Sequence, residues 1–188
     1  MKNNNFKKEI FDREIIKISK KENNNNKLLN RHVKILKLIY HYCDKNDYIL
    51  DIGCFDGKIL KTLERNGYKN LYALDFSEKS KSSFIKSKIH FASYDIENDS
   101  IPFDKKFDAV IYTDVLEHLF SPEKILNDIK NSINKKGKIF FSVPNAGWFL
   151  NGILLSFFPS KLFLSTAFGP WGHSYNFTFY HVRNMAKN

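Results

Sequence analysis

Cysteine is scarce in this chain of 188 residues: there are two, Cys43 and Cys54, and no Cys-x-x-Cys. That excludes a disulfide scaffold and a structural zinc site, and it fits a reducing compartment, so a cytoplasmic location is expected. No apolar run approaches the ~20 residues needed to span a membrane. The opening Met1-Lys2-Asn3-Asn4-Asn5 lacks the apolar core of a signal peptide. Glycine is also sparse, with eight residues, and none falls in the G-x-G-x-x-G spacing that seats a pyrophosphate on a helix N-terminus.

The charge that is present is uneven. Residues 1–38 hold eleven Lys or Arg against four Asp or Glu, an excess of seven, whereas the other 150 hold nineteen against sixteen. The sequence therefore divides into a helical basic N-terminal arm or cap, 1–44, and a nearly neutral domain, 45–188. A basic arm can meet phosphates, acidic lipid or nucleic acid, or it can be a solvated face. Phe6, Ile10, Phe11, Ile15 and Ile18 predict an amphipathic helix over 6–20. After the Asn23–Asn26 run, Leu28, Leu29, Val33, Leu36 and Ile39 predict a second, extending to Tyr42.

Around Tyr48–Leu60 an apolar run ends in Asp51, passes through Gly53 and Gly57, and enters a helical pattern. Strand, glycine turn and helix open a doubly wound α/β domain, whose ligands sit at the carboxyl ends of the strands. The glycines lack Cβ, which permits a tight turn and a close approach to a ligand. The G-x-x-x-G spacing, with Phe55 inside it, suits a ligand without phosphates whose amino-acid end needs a carboxylate and some backbone N–H groups. A second strand, 70–75, ends in Asp75, 22 positions after Gly53, where an acid accepts ribose hydroxyls. A helix over 77–87, a strand over 89–94, a strand over 107–112, a helix from Ser121-Pro122-Glu123 to about 134 and a strand over 138–143 follow. The expectation is a doubly wound, Rossmann-like parallel sheet in the order 3-2-1-4-5.

The stretch Asp51-Ile52-Gly53-Cys54-Phe55-Asp56-Gly57 resembles motif I of class I S-adenosylmethionine (SAM) dependent methyltransferases, D-x-G-C-G-x-G, and departs from it at Phe55. The phrases Ile101-Pro102-Phe103 and Phe107-Asp108-Ala109-Val110 are similar to the same family. The resemblance implies a SAM cofactor held by Asp51, Gly53, Cys54, Gly57, Asp75, Phe76, Asp95, Ile96 and Thr113. Within that set Asp95 would face the adenine amino group and Ile96 its ring. It also implies that helices before the first strand lie over the cofactor cleft. Family members usually add a final antiparallel strand pair; for this chain the expectation is a sheet without it.

Asp114, Glu117 and His118 follow the fourth strand at i, i+3 and i+4, sharing one face if the segment is helical. Two carboxylates and an imidazole suit a divalent cation, with His173 as a further ligand. Glu117 and His118 are also the candidate catalytic residues, because neutral imidazole takes up a proton near pH 7. Asp114-Val115-Leu116-Glu117-His118-Leu119 resembles the ubiquinone-biosynthesis O-methyltransferases. It is also similar to the small-RNA 2′-O-methyltransferases, in which a related motif holds a metal. The segment Val143-Pro144-Asn145 through His173 resembles methyltransferases beside methionine-biosynthesis genes and those of surface-saccharide pathways.

Residues 145–175 are mostly apolar or aromatic, including Trp148, Phe149, Phe157, Phe158, Phe163 and Phe168. They suit a lid or pocket wall, a membrane-surface or lipid-linked-substrate contact, or extra core or a homodimer face. The expected function is methyl transfer from SAM to a small-molecule acceptor, at oxygen, on a saccharide or lipid-linked intermediate. Nucleic acid is the less favoured partner, because the domain is nearly neutral. The alternatives are an RNA 2′-O-methyltransferase and a SAM-binding protein without turnover.

Overall fold

A computed structural model describes residues 28–96, 98–118, 122–143 and 184. Within them, alternating apolar residues build a sheet with a core on each side. The strands are β1 (Tyr48–Ile52), β2 (Asn70–Asp75), β3 (His90–Ser93), β4 (Phe107–Thr113) and β5 (Ile133–Ser142). All pair in parallel, in the order β3-β2-β1-β4-β5. The helices are α1 (Asn30–Tyr42), α2 (Lys58–Arg65) and α3 (Pro122–Ser132). This is the class I methyltransferase sheet order that the sequence leads one to expect.

Successive side chains of a strand point to opposite faces, and here each face has a different cover. Ile49, Leu71, Ala73, Ala109 and Ile111 pack with Ile35, Leu36 and Ile39 of α1 and with Ile59, Leu60 and Leu63 of α2. Leu50, Ile52, Tyr72, Leu74, Val110 and Tyr112 pack on the other side with Ile125 and Ile129 of α3. Helix α1 is thus part of the core, even though it precedes the first strand. Burying a side chain of this size is worth about 1.5–3 kcal/mol, so its three buried residues hold it firmly to the sheet.

Three local expectations are corrected. The polar, Ser- and Lys-rich segment expected as a helix over 77–87 forms a 3-10 helix, Glu78–Phe84. Strand β3 is shorter than 89–94. Helix α3 ends at Ser132 and β5 begins at once, because Ile133 pairs with Phe107 before the ladder resumes with Lys138 opposite Ala109. Residues 135–137, left between the expected helix and strand, belong to an irregularity inside β5. The helix over 6–20, the 145–175 segment and the chain after it lie outside the described residues. Among the described residues, β5 pairs only with β4, and no helix is long and apolar enough to cross a membrane.

Candidate active site

The carboxyl ends of β1 and β4 meet the start of α1 at a cavity of about 610 Å³. Asp51, Gly53, Cys54, Phe55, Asp56 and Lys58 line it from β1 and the turn into α2. Leu29 just before α1 and Arg31 and His32 within it line it on one side, and Thr113 at the end of β4 with Asp114 and His118 beyond it on another.

The glycine turn is folded by its own backbone. Gly53 and Cys54 both donate to the Leu74 carbonyl at 2.8 and 3.1 Å, Phe55 donates to Asp75 Oδ2 at 2.7 Å, and Gly57 donates to the Cys54 carbonyl at 2.8 Å. With those N–H groups engaged, the turn does not offer the amide nest that binds phosphate. The expectation that it presents backbone N–H groups to the ligand's amino-acid end is not met at these four positions.

Gly53 and Gly57 have φ of +74° and +70°, and a Cβ would strike the Val115 side chain at the first and the Phe84 ring at the second. Their lack of a side chain therefore serves the turn and the packing around it, not only the ligand's approach. Phe55, where motif I has glycine, also sits in the left-handed region at φ +48°, and the residue is 71 % exposed.

Asp51 is buried against the turn at 3 % exposure. Burial, reinforced by Asp75 and then Asp56, pushes its carboxyl up to about 8. None of the described residues donates a hydrogen bond to it. The two cations in the same cavity pair elsewhere: Arg31 Nε lies 2.6 Å from Asp114 Oδ2, and Lys58 Nζ lies 3.0 Å from Asp56 Oδ2. The Thr113 hydroxyl and His32 Nδ1 are buried polar atoms with no partner among the described residues. Burial, and then Arg31, holds the His32 imidazole below its usual pKa, which favours its neutral form.

Asp114 joins three elements. Its backbone takes φ +54°, a conformation aspartate tolerates better than most residues. Its N–H donates to the Ser142 carbonyl, its Oδ1 accepts from Ser142 Oγ at 2.7 Å, and its Oδ2 meets Arg31. Leu116–His118 is a separate short 3-10 helix, so Asp114 does not share a helical face with Glu117 and His118. The proposed ligand set loses its i, i+3, i+4 premise, and the Asp114 carboxylate is committed to Arg31 and Ser142. Among the described residues no group of three potential metal ligands converges. The Glu117 side chain and His173 lie outside the described residues.

The other candidates lie along the ends of β2 and β3, away from the cavity lining. Asp75 accepts from Phe55 N, from Ser77 N at 2.9 Å and from Ser80 Oγ at 3.1 Å. Three of its roughly four lone-pair sites are thereby used. Phe76 is 75 % exposed beside it. Asp95 closes a local turn, accepting from the Asn98 side chain while its N–H donates to Asp99 Oδ2. Ile96 packs on the α3-side core.

Arg31 and His32 were missed in the sequence, though a signal was there. A cation in the first turn opposes the helix dipole, and this turn has no acidic residue, so Arg31 calls for an acidic partner from elsewhere in the fold.

A family model described as "Methyltransferase domain" matches residues 19–186. The chain belongs to this methyltransferase family. The mitochondrial ubiquinone biosynthesis O-methyltransferase of Dictyostelium discoideum is similar, 26% identical over 112 residues, which cover 52% of this chain and 35% of that protein. A tRNA U34 carboxymethyltransferase of Campylobacter fetus is 29% identical over 102 residues, covering 51% of this chain and 36% of its own length. Among solved structures, the plantazolicin methyltransferase BpumL, in complex with a pentazolic desmethylPZN analog and SAH, aligns with a TM-score of 0.63 at 20% identity. That alignment covers 92% of this chain and 67% of that one, and the likeness is one of fold. This methyltransferase-family chain spans little more than a third of the length of those two curated relatives.

Proposed function

We propose that the protein transfers a methyl group from S-adenosylmethionine to a small-molecule acceptor, at oxygen. The observation that carries this is the buried Asp51 carboxyl, without a hydrogen-bond donor among the described residues, beside a left-handed glycine turn at the carboxyl ends of β1 and β4 in a methyltransferase sheet. The donor set fits the cofactor. Asp51 suits its ammonium, the Thr113 hydroxyl, without a partner among the described residues, suits a polar group, and Asp75 keeps about one lone pair for a ribose hydroxyl. Phe76, Asp95 and Ile96 complete the set toward the adenine. When bound, the cofactor supplies an activated methyl group.

His118, half-buried in the cavity wall, removes the acceptor's proton, and Glu117 assists it. The Arg31–Asp114 pair, tied to Ser142, braces α1 against the end of β4 and keeps the wall in place while the acceptor is aligned. A saccharide or lipid-linked acceptor suits the apolar 145–175 segment.

The test is two-part. The protein should bind SAM in calorimetry and transfer its labelled methyl group to an acceptor from a small-molecule extract. His118→Ala should keep SAM affinity within about threefold while turnover falls by about a hundredfold or more. Full turnover in that variant removes His118 from the mechanism.

The similarity to tRNA U34 carboxymethyltransferases supports a second reading, an RNA substrate. In that case binding weakens steeply with salt, as counterion release requires, and labelled methyl appears in RNA instead of in the extract.

A further inference from the structure

Among the described residues, the groups around Asp51 do not neutralise it. Asp75 on β2 and Asp56 in the glycine turn face it with negative charge, and Cys54 beside it is a buried thiol that burial keeps protonated. Lys58 at the start of α2 is held by Asp56, and Arg31 on α1 is held by Asp114. His32 on α1 is kept toward its neutral form. Beyond β4, Asp114 adds a further carboxylate, engaged by Arg31 and Ser142, and His118 lines the same cavity.

We propose that Asp51 carries a proton in the empty site, and that the ammonium of the cofactor's amino-acid end displaces it, so that binding releases a proton to solvent. This rests on the SAM reading above. The balance is simple: the Asp51 O–H bond breaks, its proton leaves to buffer, and the carboxylate formed accepts an N–H hydrogen bond from the ammonium. No other bond changes. The carboxylate so formed is paired and hydrogen-bonded, the condition under which a buried charge is tolerated. The raised carboxyl of Asp51, about 8, sets the window. Below it each pH unit of acidity weakens binding about tenfold, and above it the dependence flattens.

The experiment is calorimetry of S-adenosylhomocysteine binding near pH 7, in phosphate and in Tris. These buffers differ in ionisation enthalpy, so the difference in heat counts protons. The expected result is close to one proton released per site, with affinity rising about tenfold from pH 6 to 7. In Asp51→Asn both the release and the pH slope should vanish. 5′-Methylthioadenosine, which lacks the amino-acid end, should bind without releasing a proton.

Equal heats in the two buffers for the wild-type protein would overturn the proposal while leaving the SAM reading intact. So would an equal release with 5′-methylthioadenosine. No heat and no saturation with S-adenosylhomocysteine at any pH would instead defeat the SAM reading. Because the wild-type buffer comparison and the methylthioadenosine arm need no variant, the proposal stays falsifiable even if Asp51→Asn fails to fold.

Discussion

Asp51 should make the empty protein less stable as pH rises, and Asp51→Asn should abolish that dependence. In the folded state the carboxyl is raised to about 8, from an ordinary 3.8. The cause is first its burial and then the neighbouring Asp75 and Asp56. A raised carboxyl means that the folded state holds its proton more tightly than the unfolded chain does. Its contribution is therefore fully present below about pH 4, falls as pH rises, and stops falling above about pH 8. Each pH unit in that window costs about 1.4 kcal/mol. By pH 7, roughly three units into the window, the accumulated cost is about 4 kcal/mol, a large part of a normal folding free energy.

Asparagine has nearly the same shape and never ionises, so the variant should match the wild type near pH 4 and exceed it by a few kcal/mol near pH 8. Urea denaturation of both proteins across that range is the assay, read as the difference between them so that other titrating groups cancel. Parallel stability profiles for the two proteins would refute the reasoning, because they would mean that Asp51 is solvated or paired in the folded state.

Phe55→Gly should raise stability by about 0.5–1 kcal/mol: relief of a left-handed φ, about 1–2 kcal/mol, outweighs the extra chain entropy of glycine, and the exposed ring gives up little burial. Phe55→Ala, which keeps the strained φ, is the control in thermal melts, and a glycine variant no more stable than the alanine one counts against the strain. Exhaustive chelation should leave methyl transfer unchanged, because the Asp114 carboxylate is already committed to Arg31 and Ser142; activity lost to chelator and restored by Mg²⁺, Mn²⁺ or Zn²⁺ would reinstate the metal site.

Local pattern is enough to specify much of this protein. The apolar runs at 48–52, 70–75 and 107–112 are strands because buried parallel strands are apolar on both faces. The glycine turn and the two strand-end acids are legible because they depend on spacing along one short segment. What the pattern does not show was set by neighbours distant in sequence. The same glycines that read as openings for a ligand are also packed under Val115 and Phe84. Asp75, read as a ribose acceptor, already binds the Phe55, Ser77 and Ser80 donors. Asp114, read as one of a helical trio, is drawn out of the helix by Ser142 and by Arg31, 83 residues away. The length of β5 depends on Phe107 pairing with Ile133. Spacing determines which residues reach the carboxyl edge of the sheet. Which of their hydrogen bonds are already used when they arrive depends on contacts between segments far apart in the chain, and only the tertiary structure decides those.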